Sequence, residues 1–436
     1  MEKQSKKTVL LIGLTLFSMF FGAGNLIFPP ILGAQAQGAT VIAMIGFCIT
    51  AICFPILGVI VVNKSDGIKN LANRVNPVFS KILVFLIYLS IGPMLAIPRT
   101  ASTSFEIAAL PFLPENSNII LCRVIYSVLF FGVAFLVALR PDKLTDRLGK
   151  ILCPCLLTLI AVVFIGSLFA PNNQLLEPAL KYQDIAFVSG FLDGYQTMDT
   201  LAALNFGAII ALNIKAKGIK DKKSTHSLII KSGIIAGVLL LIVYAILSFI
   251  GVKAGAPDAT NGAQVLTVMV HSLFGKPGLI ILAGIFVIAC FNICVSLFCC
   301  CSEYFNSIFP KISYKIWVMF FAVISMIVAN AGLDTIISIS VPILNAIYPV
   351  AIVLIVLSLF NSLIKDMKLV YSIPIYITAF MGVAHAVYSL NVATNFFNST
   401  FVKFVPLFSI GMGWIIPAVI GVAIGILLSL GKKKAK

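Results

Sequence analysis

Apolar stretches of about 20 residues follow one another along almost the whole of this 436-residue chain, and that succession leaves few folds open. A hydrocarbon core offers no water to backbone N–H and C=O groups, so a stretch that crosses it must satisfy them internally, as an α-helix. Hydrophobic residues make up 60% of the chain and charged residues 11%, too apolar for a soluble domain of this length. The expected fold class is an all-α integral membrane protein, a single polytopic domain over residues 1–436. Twelve transmembrane helices are expected, at 8–32, 40–62, 81–101, 119–139, 150–169, 185–213, 228–251, 278–302, 315–332, 336–360, 371–391 and 406–430.

Charge tests that count, because cytoplasmic loops collect Lys and Arg. With the N-terminus inside, 25 of the 31 basic residues fall on the cytoplasmic side, and only Arg99, Arg123, Lys181, Lys253, Lys276 and Lys403 fall outside. One span more or fewer early in the chain would reverse every later loop, so both termini are expected in the cytoplasm. The same short basic loops account for the net charge of +16 without a nucleic-acid partner. The basic start followed by an apolar run imitates a secretion signal, but the run is too long and contains Pro29-Pro30, so it reads as a retained first span.

Two spans carry helix breakers where a span should be most regular. The first contains Phe20-Phe21-Gly22-Ala23-Gly24-Asn25, and the sixth contains Gly190-Phe191-Leu192-Asp193-Gly194-Tyr195-Gln196-Thr197-Met198-Asp199. Unwound backbone in hydrocarbon persists only if protein, ions or substrate occupy its polar groups, so paired breaks point to a transporter binding site. Five spans separate the two breaks. That odd number inverts the second unit, predicting inverted repeats over 8–169 and 185–360, with two extra helices over 371–430. The sixth segment is long for one straight span, and an extended break near Gly190 to Gly194 absorbs the surplus.

Asp193 and Asp199 are the acids well inside a predicted span, each costing ~2.5–3.5 kcal/mol to insert. Each reads either as a cation site, proton site or partner for a substrate amine, or as an N-cap of the following half-helix. Gly22 and Gly24 free the backbone of the first span, and the half-helix that starts there aims N–H groups and a positive dipole end at an anion such as an amino-acid carboxylate. The third span carries Gly92-Pro93 and Pro98-Arg99, predicting two proline kinks. Arg99 reads either as a gate that pairs with Glu106 or as a snorkelling side chain. The ten cysteines all fall in apolar segments, where free Cys behaves as a small hydrophobe, so neither a disulfide framework nor a transition-metal site is expected. With no HExxH, GxSxG or Walker loop, no constellation for an enzyme is present.

The stretch from Phe17 to Pro30, Ile91-Gly92-Pro93 with Ala96-Ile97-Pro98-Arg99-Thr100, the stretch from Gly194 to Leu204, and that from Pro342 to Pro349 resemble the branched-chain amino acid:cation symporters, the BrnQ-type carriers. The resemblance implies a LeuT-like fold within the amino acid, polyamine and organocation transporter group, and uptake of leucine, isoleucine and valine driven by sodium or protons. It implies a substrate between spans one, three, six and eight. By analogy Gly22, Ala23, Gly24 and Asn25 receive the carboxylate, carbonyls near Gly190 to Gly194 take the ammonium, and Ile91, Phe191 and Tyr195 wall the branched side chain. A cation would lie on carbonyls of Ser18 and Phe21 with oxygens from span eight. There the chain departs from the family pattern, reading Ala289-Cys290-Phe291-Asn292-Ile293-Cys294 with no hydroxyl until Ser296. Sodium prefers oxygen ligands, as other hard cations do. Asn292 and Ser296 supply them, or coupling passes to a proton on Asp199, or is lost.

A plasma-membrane importer working by alternating access is therefore expected, with no cofactor beyond Na+ or H+ and no obligate protein partner. The alternatives are a non-coupled or differently coupled carrier of other apolar amino acids, a channel, and a transporter-like sensor. Midplane breaks argue against the channel, and the short tails 1–7 and 431–436 argue against the sensor.

Overall fold

A computed structural model describes residues 6–140, 152–169, 175–216, 219, 221–256, 259–364 and 367–434, all of its regular structure helical. Lys3, Lys143, Arg147, Lys150, Lys217, Lys220, Lys365 and Lys436, counted among the cytoplasmic basic residues above, lie outside the described residues.

The first predicted span is two helices, α1 (Lys6–Phe20) and α2 (Ala23–Ala36). The second comprises α3 (Thr40–Cys48), a π-helical turn (Ile49–Cys53) and α4 (Phe54–Lys64). The third comprises α5 (Pro77–Leu89), a π-helical stretch (Ser90–Met94) and α6 (Ala96–Ala108). Then come α7 (Ile119–Ala138) and α8 (Cys153–Leu168). The sixth predicted span divides into α9 (Ala186–Tyr195) and α10 (Asp199–Ala216). The rest are α11 (Lys222–Ala254), α12 (Gly262–Ile308), α13 (Tyr314–Ala329), α14 (Leu333–Leu359), α15 (Lys368–Ser389) and α16 (Ile415–Lys434). Among the described residues seven helical stretches are long and apolar enough to cross a membrane, and Cys153–Leu168, Tyr314–Ala329 and Ile415–Gly431 are shorter apolar helices. The chain is a multi-pass membrane protein.

Polar caps mark several helix starts. Asn76 accepts from the Val78 N–H at 2.8 Å, with Pro77 in the first position where its missing N–H is no loss. Asn118, Asp221 and Asn261 cap α7, α11 and α12 in the same way. Gly255, at φ 59°, ends α11 in the left-handed region. Within α12, Gly275, at φ 59° and ψ −145°, divides the helix into two segments.

Two groups of helices meet where α2 packs on α12. In one, α1, α2, α4 and α11 surround the sixth span, with α9 against α3 and α10 against α4; in the other, α12 lies against α6, α7 and α13. The closest approaches within the first group are made by small residues, as expected where lipid gives helices no hydrophobic reason to associate. A Cβ on Gly46 would overlap the carbonyl of Phe187, one on Gly190 the carbonyl of Ala43, and one on Gly194 the Thr50 hydroxyl. Likewise Gly33 meets the backbone of Ser248, and Gly251 that of Pro30, bringing α11 onto α2.

Candidate functional site

The gap in the first span lies at Phe21 and Gly22, inside the stretch expected to break. Asn25, in the first turn of α2, holds it. Its Oδ1 accepts the Gly22 N–H at 3.1 Å, standing in for a carbonyl of the missing turn, while its Nδ2 donates to Asp199 Oδ2 at 2.5 Å and to the Tyr244 hydroxyl. The Asn25 side chain is thus committed to protein partners. What remains open toward a ligand is backbone, since the first N–H groups of α2 have no helical carbonyl to bond.

In the sixth span the break falls inside the stretch from Gly190 to Asp199, but at its far end and not near Gly190 to Gly194 as expected. Gly190, Phe191 and Gly194 lie within α9, and the chain leaves the helix at Gln196-Thr197-Met198, where Met198 takes φ 66°. The glycines serve the packing against span two described above, and the Phe191 carbonyl accepts from Thr50 at 2.8 Å, so this stretch offers no free carbonyl run for an ammonium. Phe191 and Tyr195 stack away from the gap, Tyr195 against Tyr348 with centroids 4.5 Å apart. Asp193 pairs with Lys181 and accepts from the Tyr182 hydroxyl at 2.6 Å, so its charge is matched within the protein. Asp199 opens α10, where a negative charge suits the helix dipole, and is fully buried.

Arg99 holds this second break. It is 3% exposed and donates to the carbonyls of Gln196 at 2.7 Å and Thr197 at 3.4 Å, with Phe28 across its guanidinium face. The expected pairing with Glu106 is not formed: the two residues lie seven apart on α6, about two helical turns, and Glu106 has Arg123 and Asp334 as its charged neighbours. Nor does Arg99 snorkel, being buried. The third span has one proline break, at Gly92-Pro93, where Gly92 has ψ −123°; Pro98 sits in the first turn of α6, where a proline is tolerated without a kink.

These three interruptions meet at one cavity. Its wall comprises Ala23 and Gly24 of the first span, Ile91, Ala96, Arg99 and Thr100 of the third, Thr197, Met198, Asp199 and Ala202 of the sixth, and Ile293 and Leu297 of α12. Gly24 is the crossing point: a Cβ there would stand 2.7 Å from Arg99 Nη2 and 3.0 Å from Thr197 Cα. Of the residues expected to bind substrate, Ala23, Gly24 and Ile91 line the cavity, Gly22 and Asn25 adjoin it, and Gly190, Phe191, Gly194 and Tyr195 do not reach it. Thr197 and Met198, within the stretch expected to break, and Ala202 were not expected in the binding wall, which was placed on the glycines and aromatics before them.

The residues expected at a cation lie behind the same gap. Asn292 Nδ2 donates to Ser18 Oγ at 2.8 Å, and the Ser296 hydroxyl donates to the Asn292 carbonyl at 2.8 Å. All three residues are fully buried, and Asn292 Oδ1 has no hydrogen-bond partner. The Phe21 ring stacks between those of Phe17 and Tyr244.

Helices interrupted at mid-span around a cavity that several of them line, with a buried cation and a buried acid in its wall, define a membrane transporter of the broken-helix kind. The chain belongs to the family described as "Branched-chain amino acid transport protein", which it matches over residues 5–432. It is 39% identical over 435 residues to the branched-chain amino acid permease BraB of Bacillus subtilis (strain 168), covering 97% of this chain and 96% of that one. It is 37% identical to the permease BrnQ of the same organism, covering 99% of both chains. Its fold is similar to that of Mhp1, a nucleobase-cation-symport-1 family transporter solved with bromovinylhydantoin, with a TM-score of 0.61, 11% identity and 97% and 93% of the two chains covered. It is also similar to MhsT, solved with L-phenylalanine, with a TM-score of 0.55, 16% identity and 96% and 98% covered.

Proposed function

We propose that this protein is a secondary active transporter that imports leucine, isoleucine and valine across the plasma membrane by cation-coupled symport. One observation carries the reading. The cavity sets the open N–H groups of α2, the Arg99 guanidinium and the Asp199 carboxyl against an aliphatic wall of Ile91, Ala202, Ile293 and Leu297. Such a wall rewards a branched alkyl side chain and penalises a polar one. The branched-chain permeases BraB and BrnQ, similar over nearly their whole length, support the same substrate class.

In this reading the chain crosses the membrane twelve times with both termini in the cytoplasm, as inverted repeats over 8–169 and 185–360 with extra helices over 371–430. The helix group around the sixth span rocks against the group around α12, opening the cavity first outward and then inward. Sodium suits the oxygens of Ser18, Asn292 and Ser296, and the unpartnered Asn292 Oδ1 favours that placement. Asp199 is the residue that would carry a proton instead. Radiolabelled leucine uptake into proteoliposomes, driven separately by inward sodium and inward proton gradients, tests the proposal. Accumulation under sodium places coupling at Ser18 and Asn292, accumulation under protons alone places it on Asp199, and accumulation under neither contradicts symport.

A further inference from the structure

Arg99 and Asp199 line the same cavity, yet no ion pair within 4.0 Å joins them. Each is only partly satisfied by the protein. Arg99 spends Nη1 and Nη2 on the carbonyls of Gln196 and Thr197 and leaves Nε without a partner. Asp199 gives Oδ2 to Asn25 and Tyr244 and leaves Oδ1 without one. Both are at least nine-tenths buried. A buried charge is costly unless paired, and an unpaired buried polar atom adds its own desolvation cost. Two such groups, a guanidinium and a carboxyl, in one cavity wall are completed together by a ligand that carries an anion and a cation at neighbouring atoms.

We infer that Arg99 and Asp199 form a clamp for the zwitterionic head of an α-amino acid, Arg99 taking the carboxylate with the first N–H groups of α2, and Asp199 Oδ1 taking the ammonium. Gly24 belongs to the same device, because a larger residue would push the guanidinium off the α2 N-terminus. The clamp rests on the cavity being the amino-acid site and assigns the two ends of the ligand within it. Asp199 then serves the substrate, and the coupling cation belongs with Ser18 and Asn292. The clamp demands both charges of the ligand, whereas a purely structural Arg99, holding the break in span six through two carbonyls, makes no such demand.

Competition binding by the full-length protein in nanodiscs separates the two roles. The probes are leucine, leucinamide, which lacks the carboxylate, and 4-methylpentanoate, which lacks the ammonium. The wild type should prefer leucine over each analogue by about 10- to 100-fold, the worth of one charge-assisted hydrogen bond. Arg99→Gln should collapse the leucine to leucinamide ratio whatever it does to the two absolute affinities, and Arg99→Lys should restore part of the ratio. Asp199→Asn should collapse the ratio against 4-methylpentanoate in the same way. Equal wild-type affinity for leucine and either analogue overturns the clamp without any variant needing to fold, as does a folded variant that binds everything more weakly at an unchanged ratio. If the wild type binds other zwitterionic amino acids but not branched-chain ones, the proposed substrate falls while the same ratios still judge the clamp. If no zwitterionic amino acid binds, both fall.

Discussion

The first and sixth spans are both interrupted near mid-length, but by different means. In the first, the gap at Phe21 and Gly22 coincides with the glycines, and a side chain of the same segment, Asn25, bonds the Gly22 N–H. In the sixth, the gap begins beyond the glycines, at Gln196, and a side chain from another span, Arg99, bonds the freed carbonyls. Gly190 and Gly194 remain helical and bring α9 against span two. Glycine in a membrane helix therefore marks either an opening in the backbone or a close approach of two backbones. What identifies the opening is the polar group that occupies it.

Substitutions of glycine separate these uses. The largest effect is expected from Gly190→Leu. Its side chain has to occupy the space of the Ala43 carbonyl, which belongs to a helix backbone and cannot turn aside, so the loss of stability should exceed about 3 kcal/mol. Folded yield by size exclusion checks this, and a well-folded Gly190→Leu protein would return that glycine to the break. Asn25→Ala should cost less, about 1–3 kcal/mol, because it removes one cap and leaves Asp199 and Tyr244 short of a donor. Thermal unfolding measures the difference. The smallest effect is expected from Gly22→Ala. Its backbone is extended, with φ −137°, and the atoms nearest the new methyl belong to the Ile293 side chain, so a loss of about 1 kcal/mol should be partly recovered by adding Ile293→Ala, which removes its branch methyls but keeps its Cβ.

The sequence was most legible where one physical cause acts alone. Apolar length located the helices, because the bilayer leaves the backbone no other solution. The run Gly22-Ala23-Gly24-Asn25 located the first break, since the residue that stabilises it lies in the same run. Within the sixth stretch the break was centred too early, on its glycines, because the group that holds it, Arg99, lies 97 positions away on another helix. Arg99 itself was read against Glu106, its nearest acid along the chain, when its partners were backbone carbonyls that no residue type announces. The same limit hid Tyr244, whose hydroxyl meets Asn25 and Asp199 from α11. Pro98 failed as a kink for a local reason: a proline three residues into a new helix has no hydrogen bond to break.

The central claim is that the cavity where the two breaks cross is the amino-acid site, and Gly24 is the residue on which that crossing depends. Equilibrium binding of radiolabelled leucine to purified wild-type and Gly24→Leu proteins, each first shown to be monodisperse, tests it most directly. Saturable binding to the wild type, displaced by isoleucine and valine and lost by at least about 100-fold in Gly24→Leu, is the predicted result. Leucine binding that survives in a folded Gly24→Leu protein would place the site elsewhere and contradict the account.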